Sequence, residues 1–294
     1  MPREKLSIEL RSYAKINLFL DIEGTREDGY HLLCMVNAKI SLHDLVSCSL
    51  TQKPQINLTC SDLHLPTDER NMAYQAAARF REQTHLSKGM RLHIEKKIPM
   101  GAGLAGGSSN AATVLQALNQ LTYDQIPNAV LAEIGTGIGS DVPFFLEPGI
   151  CVCRGIGEKV VPVSFPTLPK EPPLYGVLCS PAQHVSTPTA YRMWDELSHP
   201  SHASVQPLLD DLMQKNWSSI PSHLFNAFEP VIFKEYPEIH RCYQLFQDHS
   251  PTPPRLTGSG SNLYSLHTSE AEARTVAAAL QKLGLAIHVF YLIL

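Results

Sequence analysis

Residues 99–109 read PMGAGLAGGSS. Gly101, Gly103, Gly106, Gly107, Ser108 and Ser109 all fall inside these eleven residues. Upstream, Met90, Leu92 and Ile94 alternate with Arg91, His93 and Glu95, so a strand is predicted over Met90–Ile98. Downstream, Ala111, Val114, Leu115, Leu118 and Leu121 recur at helical spacing, so a helix is predicted over Ser108–Leu121. A glycine-rich loop between a strand and a helix can turn successive N–H groups into one concavity, at the positive end of the helix. The segment therefore reads as an anion-binding loop. Serines at its end can cap the helix or reach a phosphate or a magnesium ion.

Several phosphate loops compete for this reading. The Walker pattern fails because Gly107 stands where its lysine is needed. Gly101-x-Gly103-x-x-Gly106 matches the dinucleotide fingerprint by letter. That fingerprint follows a buried parallel strand, whereas the strand here is half charged. The protein-kinase pattern fails because the His-Arg-Asp and Asp-Phe-Gly motifs are absent. A glycine-rich turn with no ligand remains the plain structural alternative.

The whole chain sets the frame. Its 294 residues suggest two domains, and 44% apolar with 18% charged residues is ordinary for a soluble globular protein. A formal net charge of −4, with no basic arm, gives no reason to expect nucleic acid or an anionic membrane as partner. Seven cysteines at irregular spacing read as ordinary reduced thiols, not as a disulfide or zinc framework. No apolar run reaches the length of a membrane span, and residues 1–10 do not resemble a secretory signal, so the cytoplasm is expected. The proline cluster in Val161–Pro173 is the best candidate boundary, dividing the chain into residues 1–165 and 166–294. Further strands are expected at Val36–Leu50 (as a pair), Tyr175–Cys179, Leu263–Leu266 and Ala286–Leu294. Helices are expected at Asn71–His85 and Ser269–Leu283.

Two polar positions stand out. Ser12–Leu20 (SYAKINLFL) alternates, with Ala14, Ile16, Leu18 and Leu20 on one face and Tyr13, Lys15, Asn17 and Phe19 on the other. Asp141 follows the glycines Gly135, Gly137 and Gly139 and precedes Val142-Pro143. It can be a plain N-cap carboxylate. It can equally serve phosphoryl transfer to an alcohol, which needs a carboxylate for the hydroxyl proton and a cation for the transferred charge. Spacing alone does not bring Lys15 and Asp141 together.

At this point four motifs, in order along nearly the whole chain, resemble the GHMP kinase family (galactokinase, homoserine kinase, mevalonate kinase and relatives). They are SYAKINLFLDIEGTREDGYH, PMGAGLAGGSSNAA, GSDVPFF and RLTGSGSN. The Asp28-Gly29-Tyr30-His31 turn resembles the branch that phosphorylates an alcohol bearing a cytidine diphosphate group, in the non-mevalonate isoprenoid pathway. The resemblance implies a two-domain α+β fold: an N-terminal domain like ribosomal protein S5 domain 2 and a ferredoxin-like C-terminal domain. It implies ATP as co-substrate, held by Pro99, Met100, Gly101, Ala102, Gly103, Leu104, Ala105, Gly106, Gly107, Ser108 and Ser109, with Mg²⁺ expected and its ligands unassigned. It implies Asp141 as base, Lys15 as its partner and Asn17 as a substrate-side polar group. Tyr30 and His31 would form the cytosine site, with Tyr191 an aromatic on the other face of the base. Ala102 and Ala105 replace family glycines. Since alanine resists φ > 0, both are expected in ordinary backbone regions. Two other readings stay open, another small alcohol as substrate and a nucleotide-binding sensor without catalysis.

Overall fold

The structure is a computed structural model that describes residues 7–101, 103–122, 126–165, 173–198 and 200–294. Ala102 and the segment 166–172, which holds most of the proline cluster, lie outside the described residues.

Two long strands organise the first half. β1 (Ser7–Thr25) and β2 (His31–Thr51) run antiparallel. They are joined by a tight turn in which Arg26 N donates to Tyr30 O (2.7 Å) and Gly29 has φ +84°. The Asp-Gly-Tyr-His cluster is thus a hairpin turn, and it lifts Tyr30 to the tip, where the residue is 60% exposed. Val36–Leu50, expected as two strands, is part of the single strand β2. That strand carries β1, β4, β5 and β11 as partners along its length, so its backbone groups are paired without a turn.

The other elements follow in order. They are β3 (Ile56–Cys60), α1 (Met72–Thr84), β4 (Gly89–Glu95), α2 (Gly106–Leu121), α3 (Asn128–Thr136), α4 (Val142–Leu146), β5 (Ile150–Gly155) and β6 (Lys159–Pro162). Then come β7 (Tyr175–Ser180), α5 (Thr187–Asp195), α6 (Gln206–Gln214), a 3-10 turn (Ile220–His223), β8 (Phe225–Asn226), α7 (Glu229–Glu235) and α8 (Pro237–His249). The chain closes with β9 (Arg255–Leu256), β10 (Leu263–His267), α9 (Glu270–Lys282) and β11 (Ala286–Ile293). The hydrogen-bonded path is β3-β4-β2-β11-β7-β10-β9. α1 and α2 pack on each other, with α2 against β1 and β2, while α9 covers β7, β10 and β11.

The alternation of β1 is interrupted. A register shift between Asn17 and Phe19 makes Leu18 an extra residue. Ala14, Ile16, Leu18 and Phe19 all enter one apolar cluster, whereas Leu20 and Ile22 enter the other. Leu20 therefore leaves the face assigned to it by simple alternation, because a bulge reverses the phase of every residue beyond it. The second face of β1 is not solvated either: Lys15 is 4% and Asn17 1% exposed.

β11 expresses how the halves are joined. Its end pairs with β2 (Leu292↔Ile40), and its remainder pairs with β7 (Tyr291↔Tyr175 back to Ala286↔Ser180). The glycine loop 99–109 and a second glycine-containing loop, 257–261, are brought face to face by this arrangement together with the parallel pairing of β8 on β1 (Phe19↔Phe225).

Lys39, on β2, fastens the end of α4. Its ammonium donates to Phe145 O (3.0 Å) and Glu147 O and lies 5.7 Å from the Phe144 ring centre. Burial pushes its pKa down to about 8. The folded state therefore holds this proton less tightly than the unfolded chain, and the charged form penalises the fold fully below pH 8. As pH rises from about 8 towards the ordinary lysine value of 10.5, the unfolded chain binds more protons and unfolding free energy rises, by about 3 kcal/mol for this group. Buried thiols such as Cys48 and Cys153, pushed above their ordinary value, lower stability over the same range, so Lys39 is read as a difference: between pH 7.5 and pH 10 in denaturant unfolding, the unaltered chain should gain stability relative to Lys39→Met. Equal changes in both would remove Lys39 as its source.

Candidate active site

An open cleft of about 1280 Å³ runs between the two glycine loops, and Lys15, Asp141, Tyr30, His31 and Tyr191 all line it. On its phosphate side are Pro99, Met100, Gly101 and residues 103–108. α2 begins at Gly106, two residues earlier than the apolar spacing suggests, and its N-cap Ala105 supplies no side-chain hydrogen bond. Gly106, Gly107 and Ser108, the first turn of this helix of 16 residues, line the cleft, and amides at a positive helix end suit an anion.

Ala105 corrects one expectation. Its φ is +52°, in the left-handed region rather than an ordinary one. The loop holds it there through Lys15 N donating to Leu104 O (3.2 Å) and Ser109 N donating to Ala105 O (3.0 Å). A left-handed alanine costs roughly 1–2 kcal/mol, offset by the surrounding loop contacts. Ser109 departs from its expected place as well. It is 1% exposed, does not line the cleft, and donates its hydroxyl to Tyr13 O at 2.6 Å. It fastens α2 to β1, and Ser108 is the hydroxyl left facing the cleft.

The second loop, 257–261, closes on the first. A Cβ on Gly103 would stand 2.1 Å from Thr257 O, and Gly103 itself has φ +75°. Only glycine permits both the conformation and the approach. Gly103→Ala should therefore cost at least about 1–2 kcal/mol of unfolding free energy and raise the KM for ATP more than that for the alcohol. Unchanged ATP kinetics would separate this contact from nucleotide binding.

Beneath the cleft floor, Asn17 joins the parts. Its Oδ1 accepts from Lys15 Nζ (2.6 Å) and Gly258 N (2.8 Å), and its Nδ2 donates to Asn37 Oδ1 (2.7 Å). Its backbone carbonyl accepts from the Tyr264 hydroxyl at 2.6 Å. Asn17 does not line the cleft. The expected substrate-side group is placed as a buried bracket between Lys15 and the second glycine loop.

Lys15 is buried. Desolvation lowers its pKa, opposed by the negative charge of Asp141 and, less, by Cys153. Asp141 occupies the N-cap position of α4 but makes no side-chain capping bond. The plain N-cap reading thus lacks the hydrogen bond that defines it, and the carboxylate is left to the cleft.

At the far end, His31 and Tyr191 stack on each other, with ring centres 4.4 Å apart and planes at 21°. Nothing the thickness of a base fits between these two rings. Tyr191 also meets Phe228 edge-on, and its hydroxyl pKa is raised by burial and by Asp141.

Several groups in and behind the cleft escaped the sequence reading. Lys96 bonds Asp44 (2.8 Å) and Ile98 O (2.6 Å), and its Nζ lies 3.1 Å from where a Cβ on Gly106 would be. The paired lysines just before the loop were its only signal. His184 bonds Gly101 O (2.8 Å). Asn226, 2% exposed, donates to Leu256 O and Gly258 O and holds the second loop from behind. Asp195 and Arg192, on α5, line the aromatic end.

Comparison with known proteins fits this geometry. The descriptions "GHMP kinases N terminal domain" and "GHMP kinases C terminal" match residues 71–149 and 203–285. A relative from Caldicellulosiruptor bescii, named 4-diphosphocytidyl-2-C-methyl-D-erythritol kinase, is 34% identical over 274 residues, covering 93% of this chain and 94% of its own. The chain belongs to the GHMP kinase family. A Clostridium tetani relative of the same name is 35% identical over 260 residues, 87% of this GHMP kinase and 90% of its own length. Among solved structures, a 4-(cytidine 5'-diphospho)-2C-methyl-D-erythritol kinase superposes with TM-score 0.81 at 29% identity, over 97% of this chain and 99% of that one. A homoserine kinase from Cytophaga hutchinsonii, at 19% identity and TM-score 0.74 over 100% and 97% of the two chains, shares the fold. This GHMP kinase has the two-domain α+β fold of its family.

Proposed function

We propose that this GHMP kinase transfers the γ-phosphoryl group of ATP to the 2-hydroxyl of 4-diphosphocytidyl-2-C-methyl-D-erythritol, in isoprenoid precursor synthesis. The observation that carries the reading is the content of one cleft. The N-terminus of α2, whose N-cap side chain makes no capping bond, lines it with Lys15 and Asp141, and an aromatic group lies at the other end. The names of the relatives support the same substrate.

In this reading Asp141 takes the proton of the 2-hydroxyl as its oxygen bonds to the γ-phosphorus and the bond to the β-phosphate oxygen breaks, releasing ADP. Lys15 offsets charge on the phosphoryl group in flight. The amides of residues 106–108 hold the phosphates. Mg²⁺ travels with ATP. Among the described residues no group of three His, Cys, Asp or Glu forms a preassembled cage. That fits an ion bound through phosphates, waters and one or two protein oxygens, for which the Ser108 hydroxyl stands in the cleft. The bound ion would neutralise phosphate charge. The cytosine lies beside His31, in the plane of that ring, against the offset part of Tyr191, with Tyr30 closing over its outer face. Stacking contributes about 1–3 kcal/mol per base. A division near residue 165 is consistent with the two matched regions. The cytoplasm as compartment belongs to the same reading; among the described residues no helix is long and apolar enough to cross a membrane.

A coupled assay for ADP over a panel of alcohols tests this. ADP release should require the cytidine diphosphate alcohol and Mg²⁺, and CDP should compete. Turnover of a different alcohol, indifferent to CDP, would move the substrate. ATP binding with no alcohol-dependent ADP release would leave a sensor.

A further inference from the structure

His31 opens β2 and Asp195 closes α5, 164 residues later, yet His31 Nε2 and Asp195 Oδ1 are 2.7 Å apart. An ionised carboxylate only accepts hydrogen bonds, so the proton of this bond sits on Nε2. The ring is held from two further directions: stacked on Tyr191, and meeting Trp194 edge-on at 5.8 Å and 88°. The side chain is 10% exposed and lines the cleft. With Nε2 protonated, the neutral ring offers Nδ1 as an acceptor. The 4.4 Å centre separation exceeds the roughly 3.5–4.0 Å of carbon contact, so the two rings are offset. Part of the Tyr191 face is therefore left to a base lying in the plane of His31.

We propose that Asp195 is a positioning residue that makes this cleft select cytosine over uracil. By holding the His31 proton on Nε2 it keeps Nδ1 a hydrogen-bond acceptor. Cytosine presents an amino donor at C4, and uracil presents a carbonyl oxygen there. The lone pair of Nδ1 receives the first and repels the second. The inference rests on the cytidine reading above and adds the group that enforces it. Arg192, next to Tyr191 on α5, makes its bond to Thr189 (3.4 Å), so the carboxylate of Asp195 remains with His31.

The test is titration of CDP and of UDP into the full chain, with the ATP site filled by a non-hydrolysable ATP analogue. The unaltered chain should favour CDP on the order of tenfold or more. In Asp195→Asn the amide can donate to Nε2 and drive the proton to Nδ1, and in Asp195→Ala nothing holds it. In both, the preference should fall to about threefold or less, and KM for the alcohol should rise more than kcat falls. Asp195→Glu, which keeps the acceptor, should retain most of the preference. A CDP-to-UDP ratio unchanged in Asp195→Asn and Asp195→Ala overturns the proposal. Equal binding of CDP and UDP by the unaltered chain overturns it while leaving a cytidine substrate possible. Binding of neither overturns the cytidine reading itself, and this proposal with it.

Discussion

Asp141→Asn should lower kcat by about 10²–10⁴, the usual weight of a positioned general base, while the protein stays folded. The geometry separates the two effects. The carboxylate makes no capping bond to α4, so its loss leaves no helix amide newly unpaired. It is only partly buried, and substitutions away from core or cap contacts change stability by about 0.5 kcal/mol or less. The amide keeps the shape and loses the base. Because the Asp141 charge supports the protonated form of Lys15, the variant should also lose the Lys15 proton at lower pH than the unaltered chain. Steady-state kinetics beside thermal unfolding decides it: near-normal turnover removes Asp141 as base, and a collapsed melting temperature would make its role structural.

Lys15→Met should be nearly as severe for turnover, about 10²–10³ in kcat, as for loss of one preorganised electrostatic partner. Its stability should hold or rise. Methionine fills a similar volume without a buried charge, and removing a desolvated charge relieves a cost when its partners remain satisfied. Here they do: Asn17 Oδ1 keeps the Gly258 amide at 2.8 Å and the Thr257 hydroxyl at 3.4 Å, and the charge partner Asp141 is only partly buried, so it stays hydrated without the ammonium. Denaturant unfolding at pH 7 alongside kcat should show activity lost and stability kept. A variant that unfolds would mean the ammonium, not Asn17, holds the second glycine loop.

Much of this was legible in the chain because it is local. A half-buried strand, a glycine loop and an amphipathic helix declare themselves within about thirty residues. The helix expected at Asn71–His85 illustrates this: it is α1, with Asn71 and His85 as its two caps. The loop's capacity for an anion follows from glycine and helix polarity alone. What could not be read depends on register and on distance. The bulge at Leu18 shows itself only when β1 lies on β2, so the phase of Leu20 was misassigned. Ala105 takes φ +52° because neighbours 90 residues away fix the loop, which no propensity records. Ser109 and Asn17 looked like ligands by type, but their hydrogen-bonding capacity is used inside the protein.

The glycine loop 99–109, the Lys15 strand, the Asp28–His31 turn and the Asp141 segment were fixed by sequence, since each is written in adjacent residues. Their meeting in one cleft was decided by tertiary structure, through β11 bridging β2 to β7 and Gly103 seating against Thr257. The reason is physical: backbone conformation is encoded by near neighbours, while the burial of Lys15, the freedom of Asp141 and the Asp195–His31 bond depend on which distant groups displace water around them.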